Sequence, residues 1–227
     1  MNKNSTNMFY LGAFLCVVCA IAAGIMGYTA AVTRGPIEEA KVKKVSSGLR
    51  MVLPAFDNDP LKDMKTFQGH DKTPIQFYTA RKDGKIVGFA ATLYGTGGYA
   101  GRIDALVSFH PDGTIRSFLI TGHTETPGLG TNVTDRIEEK TLAGLFREAP
   151  KKEGLPPNKI LDQYAGHGAN RKDSWGATPW KVKKDGGQAD FISGATITSR
   201  AVNEIAWKAA SAFEEHKNEL IGTEGKE

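Results

Sequence analysis

The chain has 227 residues, 40% of them apolar, which is enough for one domain of ordinary size with a packed core and an extension. Its formal charge is +4, from 29 Lys and Arg scattered among 25 Asp and Glu without a basic stripe or interleaved aromatics; this excludes nucleic acid as a partner and describes an ordinary solvated surface. Both cysteines, Cys16 and Cys19, lie in an N-terminal apolar run without the turn or second cysteine pair of a redox or metal site, the five histidines show no ligand spacing, and no metal is expected.

Residues 1–7 form a short polar tail, predicted to be cytoplasmic. From Met8 to Val32 no charged residue occurs, and a membrane-spanning helix needs roughly 20 apolar residues. A cleaved signal peptide is the competing reading, because Thr29-Ala30-Ala31 is small. The apolar part is longer than the roughly 7–15 residues of a signal core, so residues 8–32 are read as an uncleaved anchor, with Tyr10 and Tyr28 near its ends. Charge alone, with Arg34, Lys41, Lys43 and Lys44 against Lys3 and the amino terminus, puts the C-terminal side in the cytoplasm, although long domains translocate despite such charge.

Residues 33–73 are read as a membrane-proximal helix, Ile37–Leu53, separated from the anchor by Arg34-Gly35-Pro36 and ended by Pro54, then a polar loop. The region 74–221 is expected to be a single α+β domain with an antiparallel sheet and a C-terminal helix. Ile75–Ala80 and Ile86–Leu93 flank the Asp83-Gly84 turn, and Ile103–Phe109 and Ile115–Ile120 flank Pro111-Asp112-Gly113, giving two hairpins. Between them the glycine-rich Tyr94–Gly101 segment fits either a loop or a backbone that must approach a ligand closely. It is not a dinucleotide fingerprint, because a strand and not a helix follows it.

After the fourth strand stands His123-Thr124-Glu125-Thr126-Pro127-Gly128-Leu129-Gly130, a turn in which Leu129 could cover a ring face while Glu125, Thr126 and backbone N–H groups hydrogen-bond heteroatoms. Residues 132–146 are read as a short helical region with Ile137, Leu142, Leu145 and Phe146 inward, and residues 151–184 as irregular. The string Asp190-Phe-Ile-Ser193-Gly194-Ala195-Thr196-Ile-Thr198-Ser199 then leads into an amphipathic helix: Val202, Ile205, Ala206, Ala209 and Phe213 lie on one side, Glu204, Lys208, Glu214, Glu215 and Lys217 on the other. Ser199 is the expected N-cap, and a hydroxyl-rich helix start suits a phosphate. Residues 222–227 are a tail.

The acidic residue followed by Ser193-Gly194-Ala195-Thr196 resembles the flavinylation motif of the FMN-binding domain family, found in subunits of Rnf and sodium-translocating NADH:quinone reductase complexes. The Glu125-Thr-Pro-Gly-Leu-Gly130 turn is similar to that family's ring-approaching loop, and Gly98-Tyr99-Ala100-Gly101 resembles its Gly-Tyr-x-Gly segment, with Arg102-Ile103 where the family often has Pro-Ile. The resemblance implies a covalent FMN whose phosphate is esterified to Thr196 by a flavin transferase, with Asp190 as recognition residue. Ser193, Gly194, Ala195 and Thr198 would surround the acceptor, and Tyr99, Glu125, Thr126, Gly128, Leu129 and Gly130 the ring. A near-copy, Ser174-Trp175-Gly-Ala-Thr178, is rejected as acceptor, because Trp replaces a hydroxyl residue and Pro179 follows at once. Trp175 and Trp180 are read as covering the core edge.

The implied function is a membrane-anchored electron-transfer subunit, without turnover of its own, most similar in layout to the G-type subunit of an Rnf-type ferredoxin:NAD oxidoreductase. Its partners would be the other membrane subunits, a flavin transferase and membrane lipid, and its domain would face away from the cytoplasm of a bacterial inner membrane. The C-type subunit of the quinone reductase, and an anchored regulatory domain without flavin, are the alternatives.

Overall fold

The computed structural model describes residues 3–69, 71–136, 154–169, 175 and 179–222, and divides into two compact units, Met1–Val45 and Ser46–Glu227. The first is the greater part of a single helix, α1, Lys3–Val52. This helix is long and apolar enough to cross a membrane, with a mean hydropathy of 2.4 over its most apolar window. The break expected at Arg34-Gly35-Pro36 does not occur, and Pro36 lies inside α1. A proline removes one ladder hydrogen bond, and long helical stretches on both sides absorb that loss. Thr29 and Thr33 return their hydroxyls to the backbone, donating to the Ile25 and Thr29 carbonyls at 2.8 Å each.

The second unit is built on a five-stranded antiparallel sheet in sequential order: β1 Lys65–Gln68, β2 Pro74–Lys82, β3 Lys85–Gly98, β4 Gly101–Phe109 and β5 Ile115–Gly122. Both expected hairpins form. At the first, Asp83 and Gly84 both take positive φ, 52° and 75°, as the two-residue turn that matches strand twist requires. Strand alternation then sorts the side chains: Phe89, Ala91, Leu93, Ile103, Ala105, Val107 and Phe109 face one way and are fully or almost fully buried. Helix α4, Thr196–Ile221, covers that face with Val202, Ile205, Ala206, Ala209 and Phe213, the helical spacing legible in the sequence. Phe213 stacks on Phe109 at 4.7 Å between centroids and meets Phe89 edge-on at 5.2 Å, so its truncation to Ala would destabilise the domain by ~3–5 kcal/mol.

On the opposite face the last turn of α1 packs against β4 and β5. A Cβ at Gly48 would stand 2.9 Å from a Leu106 methyl, and the Ser117 hydroxyl donates to the Val52 carbonyl at 3.2 Å. Two short helices, α2 Thr131–Thr134 and α3 Lys159–Asp162, close the end of the sheet near β5. Buried Arg136 ties this corner together, donating to the Phe118 carbonyl at 2.8 and 3.0 Å and to the Pro156 carbonyl at 2.7 Å. Of the helical region expected over residues 132–146, the positions from 137 on lie outside the described residues, as do His70, Thr178 and tail residues 223–227.

Two strand assignments differ from expectation. β1 falls in the stretch read as loop: it is a four-residue edge strand with alternating half-exposed and exposed residues, which leaves no apolar run to detect. The glycine-rich segment is also not a loop. β3 continues through it to Gly98, and a two-residue turn, Tyr99-Ala100, leads into β4 at Gly101. Its glycines serve close packing, since a Cβ on Gly95 would lie 2.8 Å from Ile205 of α4.

Candidate functional site

The Thr196 hydroxyl sits at the first residue of α4, not upstream of it. The N-cap is Ala195, and no side chain caps the leading N–H groups. Ser199, expected as the cap, is buried inside the first turn. Its hydroxyl donates to the Ala195 carbonyl at 2.9 Å and accepts from Ile192 N–H at 3.2 Å, so it fastens the preceding turn to the helix instead. The helix thus begins at Thr196 without a side-chain cap, and the positive end of a 26-residue helix favours negative charge there. Gly194 makes the turn possible, with φ at 91° and only a Leu129 methyl, at 3.6 Å, near the place a Cβ would take.

This helix start borders a cavity of about 420 Å³, within the usual size range of small-molecule sites. The cavity is also lined by Tyr99 from the β3–β4 turn and by Glu125, Thr126, Leu129 and Gly130 from the segment after β5. The three stretches singled out in the sequence thus meet at one place. Tyr99, Leu129 and Ile197 are 69%, 49% and 46% exposed, large apolar groups left uncovered around the opening. Leu129 projects from a rigid turn. The Leu129 N–H donates to the Thr126 carbonyl at 3.2 Å, the Gly128 N–H donates to the Thr131 hydroxyl at 2.8 Å, and Gly128 has φ at 75°.

Glu125 was expected to hydrogen-bond a ring heteroatom, but its carboxylate is committed inside the protein. One oxygen accepts from the Thr198 hydroxyl at 2.7 Å and the other from the Ala100 N–H at 3.2 Å, with the residue 5% exposed. It joins α4 to the β3–β4 turn beneath the cavity. Gly98 and Gly130 make room for it, since a Cβ on either would come within 2.6 and 2.5 Å of its oxygens. Thr126, on the same cavity wall, is exposed. Behind Glu125, His123 accepts from the Glu125 N–H at 3.2 Å through Nδ1 and pairs with Asp135 through Nε2 at 2.6 Å, which holds the segment's start.

Asp190 does not line this cavity. It borders another of about 560 Å³ beside Asn158, Lys159 and Phe191. Its carboxylate pairs with Lys183 at 2.5 Å and Lys159 at 3.6 Å, and the Lys183 hydrogen bond holds it below the usual carboxylate range. Gln163 grips its backbone on both sides, accepting from the Asp190 N–H at 2.6 Å and donating to its carbonyl at 3.2 Å. Ser193 is exposed on the turn between the two cavities. Trp175 and Trp180 pack on Tyr164 at 5.5 and 6.2 Å and do not line the Thr196 cavity, in keeping with their reading as core cover. Two lining residues, Lys184 and Ile197, were not foreseen from the sequence. Ile197 follows Thr196 and breaks the helix's apolar face, a signal available in the string; Lys184 is one of many lysines and offered none.

The sequence pattern of the FMN-binding domain matches residues 98–211, which begins at the β3–β4 turn and ends within α4. The chain is 32% identical over 212 residues to the G-type subunit of the ion-translocating oxidoreductase complex of Cereibacter sphaeroides, covering 92% of this chain and 86% of that one. It is 30% identical over 214 residues to the subunit of the same name from Vibrio cholerae, covering 92% and 91%. A further relative, 30% identical over 203 residues and 86% of each chain, is the G-type subunit of the Na(+)-translocating ferredoxin:NAD(+) oxidoreductase complex of Acetobacterium woodii.

Proposed function

Since the chain belongs to the FMN-binding domain family, we propose that it is the flavin-carrying electron-transfer subunit of an Rnf-type ion-translocating oxidoreductase, with FMN joined through its phosphate to Thr196. The observation that carries this reading is the meeting of Thr196, an uncapped helix N-terminus and exposed apolar side chains around one cavity. The residues fit the group: the helix start accepts an anion, the cavity has the size of a small-molecule site, and Tyr99, Leu129 and Ile197 offer apolar surface to a planar ring.

The attachment has a simple balance. The Thr196 oxygen forms the bond to phosphorus, its proton passes to a base on the transferase, and the pyrophosphate bond of the FAD donor breaks with AMP leaving. A threonine hydroxyl is a poor nucleophile by itself, so base and metal come from the transferase. The ester keeps one negative charge, which an exposed helix N-terminus favours by ~0.3–1 kcal/mol. That is enough to orient the group and too little to retain it, and the covalent bond does the retaining. When bound, FMN supplies one- or two-electron chemistry; Glu125, Thr198 and Ser199 hold the two walls of its site in register, and Leu129 limits water on one side.

Asp190 and Ser193 stand on the outer side of the same turn, accessible to an approaching transferase, and Asp190 with Lys183, Lys159 and Gln163 holds that turn in shape. The α1 helix anchors the chain in the membrane, with the flavin domain on the extracytoplasmic side and other subunits of the complex as electron donors and acceptors. Coexpression of the chain with a flavin transferase, followed by denaturing electrophoresis, tests the reading. A fluorescent band that persists in Thr178→Ala and disappears in Thr196→Ala is expected; no band in the wild type would refute it.

A further inference from the structure

The walls of the Thr196 cavity carry only two charged residues among those described, and they are of opposite sign: Glu125 and Lys184. Glu125 is buried with both oxygens engaged, a fixed negative charge close beneath the site. Lys184 is exposed, and its charge helps, after the Arg200 hydrogen bond, to hold the Asp185 carboxyl below the usual range. An exposed lysine is usually a solvated one, so its position needs a further reason to matter.

The reason lies in how its backbone is held. Lys184 is the middle residue of a single 3-10 turn, Lys183–Asp185, and both flanking side chains are clamped. Lys183 pairs with Asp190 at 2.5 Å, just before the acceptor turn. Asp185 receives a two-pronged grip from Arg200, Nε to Oδ2 at 2.7 Å and Nη2 to Oδ1 at 2.6 Å, and Arg200 stands in the second turn of α4 behind Thr196. Gly186, with φ at 81°, ends the turn and returns the chain toward Asp190. The two pairs fix the turn against the acceptor string and against α4, and the lysine between them is left to the cavity.

We propose that Lys184 is the counter-charge of the flavin site, positioned by the Lys183–Asp190 and Arg200–Asp185 pairs to favour negative charge in the cavity against the opposing field of Glu125. This rests on the flavin-carrier reading above and deepens it. A bound flavin that took up two electrons and one proton would add one negative charge to the cavity. A cation on the wall favours that state and a carboxylate disfavours it, so Lys184 raises the midpoint potential.

The test uses the full-length chain in detergent, flavinylated by coexpression with a transferase and titrated with dithionite while the flavin absorbance is followed. Lys184→Gln is expected to lower the equilibrium constant for reduction about tenfold at low salt, equivalent to ~30 mV for a two-electron couple. Lys184→Arg keeps the wild-type potential. Asp185→Glu, which keeps the charge but alters the length of the Arg200 clamp, lowers the potential in the same direction by releasing the turn, and adds less than its full effect in combination with Lys184→Gln. Raising ionic strength moves the wild type toward the Lys184→Gln value, which loss of packing alone would not do.

The potential is read from whatever fraction carries flavin, so weak loading does not hide the answer. A Lys184→Gln potential equal to wild type at low salt would overturn the proposal, as would an equal fall in Lys184→Arg. A wild-type chain that takes no flavin would instead refute the carrier reading on which the proposal rests.

Discussion

Glu125 offers the sharpest stability prediction, because it is a buried carboxylate that joins the two halves of the site. Replacing it with Ala removes acceptors for the Thr198 hydroxyl and the Ala100 N–H, bonds of 2.7 and 3.2 Å, and leaves the buried Thr198 hydroxyl without its partner. Hydrogen bonds to a charged acceptor contribute ~1.5–3 kcal/mol each, and the longer of these belongs at the low end, so Glu125→Ala should destabilise the domain by ~3–5 kcal/mol. Glu125→Gln has nearly the same shape, which matters where Gly98 and Gly130 leave no spare room. Its carbonyl still accepts from Ala100, and its amide faces a Thr198 hydroxyl that rotates to accept, so the loss is about 1 kcal/mol. Urea unfolding of the full chain in detergent, followed by tryptophan fluorescence, measures both, since Trp175, Trp180 and Trp207 all pack in or against the domain core. An Ala variant within ~0.5 kcal/mol of wild type, or a Gln variant as unstable as the Ala one, would refute the role of this carboxylate as a joint.

Gly130→Ala places a Cβ 2.5 Å from a Glu125 oxygen and 2.8 Å from its Cβ, so a loss of ~1–3 kcal/mol in the same unfolding assay is expected, with weaker flavin attachment from a displaced Leu129. Asp71, held at about 2 against the desolvation that opposes it by hydrogen bonds from Lys208 and Thr73, contributes stability that is present above the ordinary value of 3.8 and disappears as pH falls toward 2. Its side chain is 36% exposed, so the effect is under ~1 kcal/mol, and Asp71→Asn should narrow the difference in urea midpoint between pH 5 and pH 2.5. Protease added to sealed, right-side-out vesicles should remove the flavin domain; protection there and cleavage in inverted vesicles would reverse the proposed orientation.

What was legible in the sequence followed from period and turn chemistry. The β2–β3 hairpin was announced by Asp83-Gly84, whose positive φ values few other pairs accept, and the inner face of α4 by apolar residues at helical spacing. The glycine-rich segment misled because a glycine chosen for flexibility and one chosen for close approach look alike. Gly95 under Ile205 and Gly98 against Glu125 are of the second kind, and only their neighbours reveal it. Ser199 misled for a related reason: a hydroxyl at a helix start caps only if the helix begins after it, and α4 begins at Thr196. The string around Thr196, the Glu125–Gly130 turn and Tyr99 were found by resemblance and converge on one cavity, while Asp190 lies on the far side of the turn. Lys184 was invisible because its place depends on two ion pairs formed at a distance in sequence.

A phosphoester between FMN and Thr196 is tested most directly by mass spectrometry of the peptide that trypsin releases between Lys184 and Arg200. That peptide holds Ser193, Thr196, Thr198 and Ser199 together, so fragmentation must separate them. The expected result is an added mass of FMN less one water, carried by fragments that contain Thr196 and absent from those that contain only Thr198 and Ser199. A flavin on any other residue, or an unmodified peptide from a chain matured with an active transferase, would contradict it.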